Sequence, residues 1–438
     1  MNLALRISLL AAALLVAGSP LSAQTARPER PYRGLYASGV GDAEQLLTLN
    51  LSLGGGYDDN IFAEEGLSQD PRIAKAGMFG SLSGDLTYSF NGPRVTAELL
   101  VGTIARYRPN SGPVDALSAS YSGAAGMSAN LWRGSRFSAT HSTAYQPYFV
   151  FGLYPSLDHG VAEPAIAAPE FAAISEDNVS HSTGADLSQQ VSRRGSLGFF
   201  YSQQLTDFSG PRGDFASRGV GARYTHNVAK GLGLRVGYGY RESDPQESVS
   251  APVRVHNIDA GVDFNRALSV SRRTVLSFGT GSSAVADSTH TSYHLTGNAT
   301  LRHEIGRTWS AALAYDRSVQ FVDVLSESFL ADAAAFTLGG MVSRRLEFHS
   351  RAGVSFAHAS RTQGIGGFDT YLGTAGVSYA FTRHIAVGLD YSYYRYEFAQ
   401  GAVLPPGFSR QVDRQSVRAH LSLWAPLVHR ARRPDAAR

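Results

Sequence analysis

Apolar and polar residues alternate along this chain in runs of about ten, and the runs recur from residue 45 to residue 427. Leu47, Leu49, Leu51 and Leu53 interleave with Thr48, Asn50 and Ser52, and Trp309, Ala311, Leu313 and Tyr315 interleave with Ser310, Ala312 and Ala314. A period of two makes strands with two unlike faces. Two kinds of connection separate the runs and take turns along the chain. Eight are compact and each holds a cation: Arg94, Arg133, Arg194, Lys230, Arg273, Arg307, Arg345 and Arg383. Nine are longer and of mixed or acidic character, at 58–75, 108–115, 147–177, 207–216, 242–252, 282–290, 317–331, 358–367 and 397–411. Eight short turns and nine long loops imply 18 strands. The runs at 267–286 and 329–343 are poor in large apolar residues, which leaves 16 as the alternative count.

A sheet of this length with one apolar face closes on itself and turns that face to lipid. The fold class is therefore all-β: a transmembrane antiparallel up-and-down β-barrel of about 18 strands in the bacterial outer membrane. Short turns then face the periplasm, long loops face outside, and the even strand count leaves both termini periplasmic. A soluble sandwich would also alternate, but with strands of about 5–6 residues, whereas roughly 21 residues per strand and connection accommodate the 9–11 that a tilted transmembrane strand needs. The alternation assigns Asp85, Glu98, Asp186, Arg223, Arg235, Asp259, Asp263, Arg302, Asp316, Arg351, Asp390, Arg395 and Arg418 to the lumen, because an Arg at the bilayer midplane would cost about 2–4 kcal/mol. Tyr394 and Trp424 fall on the same phase and could stack on sugars. Outward aromatics gather near strand ends, as at Tyr88, Phe90, Tyr107, Phe199, Tyr201, Tyr238, Tyr240, Tyr391 and Tyr393, the pattern of an interfacial girdle.

Composition sharpens the compartment. The longest apolar stretch, 7–16, follows Arg6, is too short to cross a bilayer as a helix, and precedes small residues ending at Ala23. The expected division is a signal peptide at 1–23, a periplasmic segment at 24–44, the barrel at 45–427 and a basic tail at 428–438. Cysteine is absent, which removes disulfides and thiolate chemistry. The net charge of +3 comes almost wholly from dispersed arginines, with Lys75 and Lys230 the only lysines, so no basic block points to nucleic acid.

The most distinctive local sequence is Gly54-Gly55-Gly56-Tyr57-Asp58-Asp59-Asn60-Ile61-Phe62, at the outer end of the first strand. Together with the closing run 417–427 it resembles the first- and last-strand signatures of β-barrel porin families, especially outer-membrane barrels tied to capsule and exopolysaccharide gene clusters. That resemblance implies a conduit for, or an accessory to, polysaccharide export, with periplasmic export machinery as a partner. The chain departs from many such barrels by continuing past Leu427 rather than stopping at an aromatic residue.

Other motifs carry less. Asp58, Asp59 and Asn60 could hold Ca²⁺ if Glu64, Glu65 and Asp70 folded back to complete six oxygens, although Asx-type turn bonding accounts for the same residues. The loop 147–177, with Asp158, Glu163, Glu170, Glu176 and Asp177, either narrows the pore as an acidic gate or lies outside in solvent. His141, His256, His294 and His420 have serines nearby but no triad spacing, so the chain reads as a non-enzyme without a cofactor. The functional expectation is an outer-membrane channel for exopolysaccharide export; the alternatives are a general diffusion porin for small solutes and a non-conducting structural or adhesion barrel.

Overall fold

The computed structural model describes residues 34–38, 40, 43–60, 76–109, 116–147, 149–150, 173–174, 176–210, 214–245, 253–268, 271–286, 291–322, 327–360, 366–400, 402, 404 and 409–431. Twenty strands run in chain order: β1 (Ala43–Asp58), β2 (Gly77–Asn91), β3 (Val95–Tyr107), β4 (Leu117–Asn130), β5 (Ser135–Gln146), β6 (Phe149–Val150), β7 (Ala173–Ile174), β8 (Asn178–Gln190), β9 (Gly195–Phe208), β10 (Phe215–Ala229), β11 (Leu232–Pro245), β12 (Val253–Leu268), β13 (Ser271–Ala286), β14 (Thr291–Ile305), β15 (Trp309–Val322), β16 (Glu327–Met341), β17 (Leu346–Ala359), β18 (Phe368–Ala380), β19 (Ile385–Phe398) and β20 (Gln411–Ala431). Eighteen of them form one antiparallel sheet, each bonded to its neighbour in sequence, with β5 passing directly to β8. The short β6 and β7 pair only with each other. The sheet closes where β20 meets β1, in a ladder running from Ala43↔Ala431 to Asp58↔Ser416. A closed sheet leaves no unpaired edge, the condition for crossing hydrocarbon with strands.

The count is 18 rather than 16, since 271–286 and 327–341 pair on both sides, with Leu276, Phe278, Leu330, Phe336 and Leu338 among their outward residues. Two of the long connections shrink: β13 reaches Ala286 and β15 reaches Val322, so the strands absorb most of 282–290 and 317–331. The last strand runs past Leu427 to Ala431, with Val428 opposite Leu47 and His429 opposite Leu46, so the first four residues assigned to the basic tail belong to the barrel. The expected signal peptide lies outside the described residues. Three of the short turns are closed by Gly134, Gly231 and Gly306 at φ of 76°, 76° and 66°, a left-handed conformation that glycine adopts without a Cβ penalty.

Alternation through this register gives one continuous outer face. Leu53 is 61% exposed and Leu295 77%, and Leu82, Leu99, Val236, Leu313 and Leu389 are likewise exposed on the same side. A water-soluble protein rarely displays a contiguous apolar surface beyond a few hundred Å², so this belt faces lipid. The molecule is an outer-membrane-type barrel, and the opposite face encloses a lumen.

Candidate functional site

The lumen has two unlike walls. On the β14–β20 side many inward residues are small or aromatic and buried: Ala312, Ala333, Ala335, Phe329, Phe368 and Phe398 are each 3% exposed or less. Their rings pack edge to face, Phe329 on Phe368 at 5.1 Å, and Tyr396 donates a hydrogen bond to the Ser409 carbonyl at 3.0 Å. On the β3–β10 side the inward positions are polar and open, and Glu98, Asp186 and Arg223 are exposed although they point into the barrel. That side of the lumen is open enough to admit water. A barrel of this strand number is wide enough to hold it.

At the periplasmic half of the packed wall, Asp390 of β19 is the hub of a charged cluster. Its carboxylate lies 3.1 Å from His420 Nδ1, 3.4 Å from Arg418 Nη2 and 3.4 Å from His349 Nε2. Arg418 is its direct cross-strand neighbour, whereas His349 stands two strands away with Gly376 between them. The glycines explain how two imidazoles fit. A Cβ at Gly376 would collide with Asp390 Oδ1 and His349 Nε2, and one at Gly388 would strike the His420 ring. Gly376→Ala is expected to destabilise the barrel by about 1–3 kcal/mol, the range for overpacking, measured as a shift in urea unfolding. Gly373→Ala, whose Cβ would meet Tyr393 at an ordinary 3.7 Å, is expected to change little.

A cavity of about 630 Å³ opens beside this hub, reaching across β1 to Asp85, which accepts a 2.6 Å hydrogen bond from Asn50. Its floor is not a strand. Residues 34–38 pass under the periplasmic turns, where the Leu35 N–H donates to the Arg344 carbonyl at 2.7 Å and the Ala37 N–H to the Arg383 carbonyl at 2.9 Å. Ala37 adopts a positive φ of 53° to make this bend, and the strap presents Tyr36 to the lumen-facing Ser422. Burial is the main influence on the Tyr36 phenol and pushes it up. The Ser422 hydrogen bond opposes that rise and the Asp85 carboxylate adds to it. Tyr36 thus stays protonated and neutral at the mouth.

At the opposite end, the distinctive first-strand motif is a clasp on the closing seam. Asp58 accepts from Arg414 of β20 through Nε at 2.9 Å and Nη2 at 2.7 Å, with side-chain exposures of 3% and 13%. Asn60 N–H caps Asp58 Oδ1 at 3.0 Å in an Asx turn, and Asn60 Nδ2 donates to the Asp413 carbonyl at 3.0 Å. Asp59 accepts from the Gln415 N–H at 2.6 Å and donates its own N–H back at 3.0 Å. These bonds engage both Asp58 oxygens and Asp59 Oδ1, with the Asx turn at Asn60 among them, while Glu64, Glu65 and Asp70 lie outside the described residues.

The register places Asp85, Glu98, Asp186, Arg223, Arg235, Asp263, Arg302, Asp316, Arg351, Asp390 and Arg418 on the inner face. Arg235 and Asp263 form an ion pair there. Asp259 belongs to an irregular stretch of β12 and its side chain is outside the described residues. Arg395 is a correction. The strand β19 pairs without a bulge on both sides, so Asp390 and Arg395, an odd number apart, face opposite ways. Arg395 points outward near the extracellular end and pairs with Glu397 at 2.8 Å. Tyr394 and Trp424 do face inward but are 2% and 6% exposed, Trp424 stacking on His384 at 5.8 Å, so neither offers a face to a sugar. Arg414, His349 and His420 join the lumen set; the phase of Arg418 already implied Arg414 and His420, each an even number of residues away. His294 Nε2 lies 3.2 Å from Ser292 Oγ and 3.1 Å from the Ser360 carbonyl, which also accepts from Ser292 Oγ at 2.8 Å. The centre of the 147–177 loop lies outside the described residues.

No protein-family model and no curated protein matches the chain. Among solved structures it is similar to the glucuronate complex of OccK2 (OpdF) from Pseudomonas aeruginosa, at 10% identity over 89% of this chain and 100% of that one, with a TM-score of 0.45. The FrpB iron transporter of Neisseria meningitidis gives 10% identity over 85% of this chain and 66% of that one, with a TM-score of 0.46. OpdQ of Pseudomonas aeruginosa gives 11% over 88% and 98%, with a TM-score of 0.42. The barrel stands on its own hydrogen-bond register and apolar belt rather than on these likenesses.

Proposed function

We propose that this barrel is a passive diffusion channel for small polar solutes in the bacterial outer membrane. The observation that carries it is the open wall: Glu98, Asp186 and Arg223 point inward and are nonetheless exposed. Charged side chains keep that state only beside water, and a wet lumen with charges of both signs passes small polar and ionic solutes. Export of a long polysaccharide, which the sequence resemblance implies, has less support. A sugar track needs exposed aromatic faces, and Tyr394 and Trp424 are buried in their own wall.

Single-channel recording of the refolded protein in planar bilayers tests the reading. Discrete steps that long glycans fail to block are expected; silence would favour a structural barrel, and block by a long glycan would favour export. Arg223→Glu replaces a cation by an anion on the open wall. At the dielectric of water a unit charge about 4 Å from a passing ion contributes about 1 kcal/mol. The anion-to-cation permeability ratio is therefore expected to fall several-fold, read from reversal potentials across a salt gradient, and an unchanged ratio would remove Arg223 from the conduction path.

A further inference from the structure

One sector of the outer face, on β5 and β8, does not suit lipid. At mid-strand, β1, β2, β3, β15 and β19 present leucine or valine outward, as at Leu51, Leu86, Val101, Leu313 and Leu389. The same register puts His141 and Thr143 of β5 and His181 and Thr183 of β8 on that face, also in the middle of their strands. His141 is exposed and the other three are half-exposed. The two imidazoles stack at 6.1 Å and 20°, and His141 Nδ1 lies 2.9 Å from Thr183 Oγ1. Among the described residues this is the one side-chain hydrogen bond these four make.

An imidazole has two nitrogens and a threonine hydroxyl can both donate and accept, so most of the bonding capacity of this patch points away from the barrel. Hydrocarbon cannot meet it, and each unmet group in a bilayer costs several kcal/mol. A second protein surface can. We propose that the outer face of β4, β5 and β8 is where two copies of this chain meet in the membrane. Two features favour a second copy over a different partner. The four side chains include no lysine, arginine, aspartate or glutamate, and each can be donor and acceptor, so the patch complements itself without charge repulsion. The outward neighbours Gly123, Ala125, Ala139 and Ala185 are small, which lets two sheet faces approach closely.

The chain has no native cysteine, so single substitutions give a clean test in the membranes of expressing cells. Thr143→Cys with a short bis-maleimide is expected to give a cross-linked species containing only this chain, while Leu313→Cys on the far side gives none. The detergent-purified protein is expected to have the mass of more than one copy. The paired substitution His141→Leu and His181→Leu is expected to weaken self-association about tenfold for each intersubunit hydrogen bond lost, with the single barrel still folded by its heat-dependent mobility in gels. A monomeric mass with no cross-link at Thr143→Cys overturns the proposal. So does equal cross-linking at both positions, or a Thr143→Cys product containing a different protein.

Discussion

Replacing Asp58 with alanine is expected to lower the unfolding free energy of the barrel by about 3–5 kcal/mol, the cost of leaving a buried partner charge uncompensated. Arg414 is 13% exposed and donates from Nε and Nη2 to this one carboxylate, so truncation strands a guanidinium inside the seam. The seam is where that loss matters most. Every other strand pair is joined by a connection of the chain, whereas β1 and β20 are held only by their ladder and by the side chains that cross it. Urea unfolding in lipid vesicles measures the change. The double substitution Asp58→Leu, Arg414→Met separates charge from packing: it removes both charges at similar volume and is expected to recover most of the loss, since an apolar pair often matches or exceeds a buried ion pair. If the single and double variants were equally weak, the motif would act through packing or through the Asx turn at Asn60 instead.

The clasp also shows where reading the chain alone stops. Period-two alternation, eight cationic turns and nine longer connections were enough for an 18-strand barrel, because each feature is local and repeated. Facing followed from parity wherever a strand has no bulge, and Leu51, Asp85, Glu98 and Arg418 lie where parity puts them. The cost of a buried charge points Arg395 inward, yet Asp390 on the same unbulged strand takes that face and leaves Arg395 the other. Near a strand end the outward charge reaches water and Glu397, and the cost that drives arginine inward is gone. Contacts across long separations leave no local trace. Asp58 and Arg414 are 356 positions apart, and the burial of Tyr394 depends on Tyr396 and on the neighbouring wall rather than on its own alternation. The path of residues 34–38 has no periodicity at all.

Removing that strap, by deleting the uncharged residues 34–40, is expected to raise single-channel conductance on the order of twofold, because the lumen of an 18-strand barrel is itself wide enough to conduct. The strap crosses the periplasmic mouth beneath the turns β16–β17 and β18–β19, and Tyr36 closes the floor of the cavity beside Asp390 and Asp85. Stability should hardly change. The ladder of β1 begins at Ala43, beyond the deletion, and the strap's bonds include two backbone hydrogen bonds to the turns, the Tyr36 bond with Ser422 and the Ser38 hydroxyl bond to the Leu35 carbonyl. Tyr36→Ala discriminates between the ring and the backbone as the obstacle: a rise as large as that of the deletion assigns the constriction to the phenol, and a rise confined to the deletion assigns it to the chain itself. Because Tyr36 is neutral, neither change should alter the preference for anions or cations, whereas Arg223→Glu should alter that preference and leave conductance in high salt nearly as it was. Size and charge selection would then be set by different ends of one lumen, the first by a strap at the periplasmic mouth and the second by the open wall from β3 to β10.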